Sequence, residues 1–221
     1  KKSFGFTLAE VLVTLGIIGV VSAMTVPTLM QNYQRESYVT QLHKVYNELS
    51  QAITRAITDS NAISLDETKY SADIDNSSAL FLKDYFKIVN DCGTTLTPCF
   101  ANSYQTINGD NFQMNIYGAT PIIAVVLASG AAIAPFNQCG RSTCYSDINL
   151  HGYYQMFVDI NGPQGPNVLG RDLFYIEVYS DGVVGESHDP RDADDLECDG
   201  SVSYGVGCLT KIIDNGWKMD Y

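Results

Sequence analysis

Three groups of side chains are of types and spacings that could do chemistry. Glu10 is the only charged residue between Phe6 and Met30, and the run VLVTLGIIGVVSAMTVPTLM follows it. A carboxylate at the centre of a membrane helix costs about 2.5 to 3.5 kcal/mol, so Glu10 calls for a partner. Cys92, Cys99, Cys139, Cys144, Cys198 and Cys208 could oxidise to disulfides or, as thiolates, ligate a metal. The stretch from Asp159 to Asp172, DINGPQGPNVLGRD, sets Asp159, Asn161, Asn167 and Asp172 among turn formers. Such oxygens suit a hard cation, and calcium takes six to eight of them. Catalysis finds little support: there is no serine nucleophile motif, phosphate loop or histidine-glutamate metal motif. His43, His151 and His188 are scattered and form no acid-base constellation. The chain therefore reads as a non-enzyme.

The elements that must carry these residues begin with an anchor. About 20 apolar residues span a bilayer as helix, and Lys1 and Lys2 before the run should keep that end cytoplasmic and the rest outside. A cleaved secretory signal would have an apolar core of about 7 to 15 residues with a small-residue cut site after it, and neither feature is present. Gly16 and Gly19 weaken helix propensity, and Pro27 removes a backbone donor, so a kink or local melting is expected there. All six cysteines then lie on the outer, oxidising side, where an even set reads as disulfides. Their near-neighbour spacing favours Cys92 with Cys99, Cys139 with Cys144 and Cys198 with Cys208. Zinc is the rival, but no paired C-x-x-C spacing supports it.

Beyond Pro27 the pattern turns amphipathic. Tyr38, Val39, Leu42, Val45, Tyr46, Leu49, Ala52, Ile53, Ala56 and Ile57 recur at helical spacing, so one long helix is expected to about Thr58. Residues 62–76 read as a loop, and Asn76 or Ser77 as the cap of a short helix carrying Leu80, Phe81, Tyr85, Phe86, Ile88 and Val89. Cys92 to about Asn111 reads as a stapled surface loop. Residues 121–128 and 131–136 around Ser129-Gly130, then 153–160, 173–180 and a short return at Val183-Val184, read as strands. A long helix followed by an antiparallel sheet is an α+β arrangement.

Gly5-Phe6-Thr7-Leu8-Ala9-Glu10, with Pro27 twenty-one residues after Phe6, resembles the N-terminus of a type IV prepilin or type II secretion pseudopilin. The resemblance covers about the first 35 residues. It implies that a prepilin peptidase cuts after Gly5 and methylates the new N-terminal Phe6, and that Glu10 guides assembly. It also implies the pilin fold: a long helix, half transmembrane or filament core and half amphipathic, packed on an antiparallel sheet. The expected divisions are a leader at 1–5, the transmembrane or filament-core helix at 6–30, the amphipathic half at 31–60 and a globular extracytoplasmic head at 61–221.

Partners implied are other pilins in a homo- or hetero-oligomeric filament, the peptidase and an inner-membrane assembly platform. The subunit would sit in the inner membrane before assembly and in an extracellular or periplasmic filament afterwards. A methylated secondary amine stays protonated near neutral pH, so a neighbour's Glu10 could pair with Phe6 in the apolar core. The alternative is a minor tip pilin with an adhesive, ligand-binding or DNA-uptake role. Nucleic acid is opposed by 25 acidic residues against 13 basic ones and a net charge of −12.

Some pseudopilins that this chain resembles bind calcium in a sheet loop, which makes Asp159, Asn161 and Asp172 candidate ligands; no other cofactor is expected. The spacing is not that of an EF-hand, and Asp and Asn capping their own turns is the plainer reading. The run from His188 to Asp199 is a second acidic stretch, read as a solvated loop in preference to a metal site.

Overall fold

The computed structural model describes residues 5, 7–71, 74–114, 120–136, 154–186, 198 and 207–221. Cys139, Cys144, His151, the stretch 188–197 and Phe6 lie outside the described residues, as do the start of the expected strand at 153 and the pairing of Cys139 with Cys144. Two compact units are present, residues 1–37 and residues 38–221.

Helix α1 (Leu8–Asp59) contributes to both. It starts on Thr-x-x-Glu, the sequence of a capping box, and runs without interruption through Pro27. The local melting expected at that proline is absent, because a prolyl ring removes one hydrogen bond while the turns on either side keep theirs. In the first unit the apolar residues are uncovered: Ile17 is 59% and Leu29 66% exposed. A helix apolar all round buries its surface in lipid or in other protein, and α1 is long and apolar enough to cross a membrane. Two hydroxyls within the run are satisfied internally, Thr14 donating to the Val11 carbonyl and Thr25 to that of Val21, both at 2.9 Å.

In the second unit α1 turns a stripe inward, Val39, Leu42, Val45, Leu49, Ala52, Ile53 and Ala56. It packs with a six-stranded antiparallel sheet of order β1 (Ile88–Asp91), β4 (Val125–Leu127), β5 (Ala132–Pro135), β6 (Tyr154–Asp159), β7 (Leu173–Val178), β8 (Val184–Gly185). The sequence period of two is visible across the register: Tyr154, Met156 and Val158 on β6 and Phe174, Ile176 and Val178 on β7 join the α1 core. The turns fall where glycine permits positive φ, at Gly130 (+95°) between β4 and β5 and Gly182 (+89°) between β7 and β8. This is the α+β, pilin-like architecture.

Three local expectations are corrected. The short helix, α2, spans Ile74–Tyr85, so neither Asn76 nor Ser77 caps it, and Ile88 and Val89 belong to β1. Pairing of Ile88 with Leu127 and of Asn90 with Val126 on β4 takes this stretch out of the helix, with Val89 at the irregularity between the two pairs. Two 3-10 turns, Leu65–Glu67 and Lys69–Ser71, occupy the expected loop and bury Leu65 and Tyr70. The segment from Cys92 to Asn111 is stapled by Cys92–Cys99 as expected and is largely exposed, but it is not wholly on the surface. Together with β3 (Asn111–Phe112) it carries Cys99, Phe100, Tyr104 and Phe112 onto the second face of the sheet, against Phe157, Leu173 and Tyr175. β6 and β7 are therefore buried on both faces, a doubled core that hydrophobic burial drives once aromatics stand at both parities of a strand.

The C-terminal segment closes the α1 side. Helix α3 (Cys208–Asp214) has its first amides, those of Gly207, Leu209 and Thr210, donating to the buried Glu186 carboxylate at 2.7, 2.9 and 3.0 Å. Burial outweighs those three bonds and pushes Glu186 up to about 7. The folded state thus holds a proton that the unfolded chain releases near its ordinary value of 4.5. This stabilisation is complete below that value and is lost as pH rises to about 7. The melting temperature should fall by several degrees between pH 5 and 8, and Glu186→Gln, which keeps an acceptor but cannot ionise, should flatten that slope. Equal slopes in the two proteins would contradict the assignment.

Candidate functional site

The N-terminal motif is built on the first turn of α1. The Thr7 amide and hydroxyl each donate to Glu10 Oε2 at 2.8 Å, and the Glu10 amide donates to Thr7 Oγ1 at 3.3 Å. The carboxylate that the sequence left in need of a partner is held by Thr7 within its own chain, a capping box that satisfies amides the helix would otherwise leave open. Thr7 was visible in the sequence as the residue three before Glu10 and was not singled out. Gly5 is exposed, and a Cβ built there meets nothing within 4 Å. Any requirement for glycine at that position must come from whatever acts on the chain.

The second site lies where β6 runs into β7. Asp159, the last residue of β6, shares the second face of the sheet with Phe157, and Asp172 precedes β7. Both carboxylates are fully buried. Asp159 Oδ2 accepts the Tyr104 hydroxyl and Oδ1 accepts the Asn161 amide at 3.1 Å. Asp172 accepts the Asn167 amide at 2.7 Å and the Val168 amide at 2.6 Å. These bonds are the turn-capping role, which therefore holds for both residues.

Two features go beyond it. Burial pushes Asp159 up to about 8, and the charge of Asp172 adds to this; burial raises Asp172 too. Asn161 Oδ1 and Asn167 Oδ1 are buried with no donor, although Asn161 Nδ2 donates to the Gly165 carbonyl at 3.3 Å. Two repelling carboxylates and two orphaned amide oxygens are what a cation would satisfy, since a buried acceptor without a donor is costly. Among the described residues no group of three or more His, Cys, Asp or Glu gathers as a metal site.

The loop is braced from three sides. The Gln105 amide on β2 (Tyr104–Gln105) donates to the Asn167 carbonyl at 3.0 Å, and the Leu169 amide returns to the Gln105 carbonyl at 2.8 Å. Tyr221 donates to the Gly170 carbonyl at 2.7 Å. The Cys198–Cys208 disulfide lies against Gly170, and Cys92–Cys99 closes the segment that brings in Tyr104. Tyr104 and Asn167 were beyond the sequence-derived ligand set. Nothing in the local sequence of Tyr104 points to a carboxylate 55 positions away, whereas Asn167 stood within the loop as an oxygen donor.

Residues 1–26 match the family described as prokaryotic N-terminal methylation motif, the signature of type IV pilins and pseudopilins. The match covers the turn with Gly5, Thr7 and Glu10 and most of the apolar run, and it stops before Pro27. No curated protein and no solved structure matches the chain.

Proposed function

We propose that this protein is a structural subunit, a pilin or pseudopilin, of a type IV pilus or type II secretion filament. A prepilin peptidase cuts after Gly5 and methylates Phe6, and the subunit waits in the inner membrane with its head outside. An assembly platform then withdraws it into a filament of identical or related subunits. The observation that carries this reading is the methylation motif over residues 1–26, at the head of a helix whose apolar first half is left uncovered. Gly5→Leu tests it. Since a side chain fits freely at that position in the protein itself, only the peptidase should reject it, and intact-mass measurement should find uncut precursor in the membrane and no mature Phe6 terminus. Normal maturation of that variant would refute the reading.

Calcium in the β6–β7 loop belongs to the same proposal. Asp159, Asp172 and the oxygens of Asn161 and Asn167 would hold it, and the ion would neutralise two buried carboxylates and fasten the loop. A ligand bound only by the folded state stabilises it by mass action, about 2.7 kcal/mol at a hundredfold excess over Kd. Chelation should lower the melting temperature by about 5 °C or more, and Asp159→Ala should abolish that response. The variant's own stability will drop, because Tyr104 loses its acceptor, so the chelator-dependent difference is the quantity to compare. A wild-type melting curve indifferent to chelator would return the loop to turn capping alone.

A further inference from the structure

A cleft of about 190 Å³ opens on the second unit between α1, the end of α2 and the turn joining β4 to β5. Its apolar wall includes Phe86 and Leu127, and its polar rim includes Glu48, Arg55, Lys87 and Ser129. The turn is fixed to the α2 end by the Ala128 amide, which donates to the Lys87 carbonyl at 2.8 Å, so the walls are held by backbone.

The rim is unsatisfied. Among the described residues the ion pairs are Lys69 with Asp84 and Lys83 with Asp91, so Arg55, Lys87 and Glu48 take part in none. Ser129 Oγ is shielded from solvent and has no partner. A small recess, about equally polar and apolar, whose charged lining residues have no ion-pair partner among the described residues has the anatomy of a binding site, and its volume suits one side chain and the backbone beside it. Charge orders the recess along α1. Glu48 and Arg55 are seven residues apart, about 10 Å along a helix, and Lys87 adds a second cation to the lining.

We infer that this cleft receives an acidic side chain from the head of a second copy of this chain, its carboxylate between Arg55 and Lys87 and its stem against Phe86 and Leu127. Charge complementarity selects that occupant. With 25 acidic residues against 13 basic, identical heads set side by side repel one another unless acids on one meet cations on the next. A guanidinium and an ammonium at an apolar wall bind a carboxylate more strongly than open-surface cations do, and repetition along a filament multiplies a weak contact. The inference rests on the filament reading above.

Zero-length carbodiimide coupling of sheared filaments tests it, because the reagent joins an amine only to a carboxylate in contact with it. Cross-linked dimers should contain Lys87 joined to an Asp or Glu peptide. Lys87→Arg should remove that link while filament yield stays at the wild-type level, since the charge remains. Reversing both charges, Arg55→Glu with Lys87→Glu, should lower filament yield about tenfold, whereas Lys218→Glu, away from the cleft lining, should not. Wild-type filaments in which Lys87 is unlinked, linked only within one copy, or linked to a different protein would overturn the inference and leave the filament reading intact. A wild-type chain that forms no filaments would overturn both.

Discussion

Glu10→Val should give a subunit that is cut, inserted and folded, yet sheared filaments should fall by about a hundredfold or more. Neither folding nor insertion has reason to suffer. The core of the second unit draws on α1 only from Tyr38 onward, and replacing a carboxylate by valine within an apolar helix makes insertion easier. The loss of the capping box with Thr7 costs one helix end about 1 kcal/mol. Assembly is another matter. In the proposed filament the carboxylate of one subunit faces the methylated Phe6 ammonium of its neighbour in a core that excludes water, and removing one partner of a buried ion pair costs about 3 to 5 kcal/mol. Each 1.4 kcal/mol is tenfold, which sets the expected loss. Glu10→Gln divides the two roles of the side chain, since it preserves an oxygen for Thr7 but carries no charge. It should fail to assemble as Glu10→Val does. Normal filament yield from either processed variant would remove the ion pair from the account.

Thr7 changes the physical picture of the unassembled subunit. Its amide and hydroxyl both reach Glu10 Oε2, so in the proposed membrane-inserted subunit the carboxylate would already be hydrogen-bonded, which lowers the cost of carrying it there. An incoming ammonium can share the oxygens without displacing both donors, because a carboxylate offers about four acceptor positions.

How much of this was legible before folding depends on the range of the interaction involved. The first turn and the apolar run are local: residue types and spacing within a few positions state them fully, and the methylation motif rests on them. The buried stripe from Val39 to Ala56 and the strand alternation in β6 and β7 are also local periodicities, which is why the α+β order could be read. The doubled core was not legible. Phe157 and Tyr175 stood at the parity that an antiparallel sheet usually turns to water, and only the return of the segment from Cys92 to Phe112 covers them. The loop site divides the same way. Asp159, Asn161, Asn167 and Asp172 were visible as a run of oxygens, whereas Tyr104 and the brace by Gly170, Tyr221 and a disulfide depend on contacts across the fold. Where the expected helix ended late, at Ile88 and Val89, cross-strand pairing with β4 overrode a helical pattern that was real but weak.

Gly170→Ala should be among the most destabilising single-methyl additions in the head, although nothing in the sequence around it distinguishes this glycine from its neighbours. Its φ is +83°, a conformation that costs an L-residue about 1 to 2 kcal/mol. An added Cβ would also lie 2.6 Å from Cys208 Sγ, 3.2 Å from Ile107 Cδ1 and 3.3 Å from Cys198 Sγ. The Ile107 methyl can swing aside, but the sulfurs cannot yield cheaply. The two sulfurs are joined to each other, and Cys208 begins α3, whose amides are held by Glu186. Overpacking of this kind costs about 1 to 3 kcal/mol beyond the backbone strain, so the total approaches 4 kcal/mol and the melting temperature should fall by about 10 °C. Gly109→Ala provides the comparison, since φ there is +88° but an added Cβ meets nothing within 4 Å. It should show the strain alone, a drop of about 3 °C. Reduction of the disulfides should narrow the gap between the two variants, because free thiols can rotate away from the added methyl. Equal losses in both variants before reduction would mean that the sulfur pair does not press on the loop, and the bracing of Asp172 from the C-terminal side would have to be abandoned.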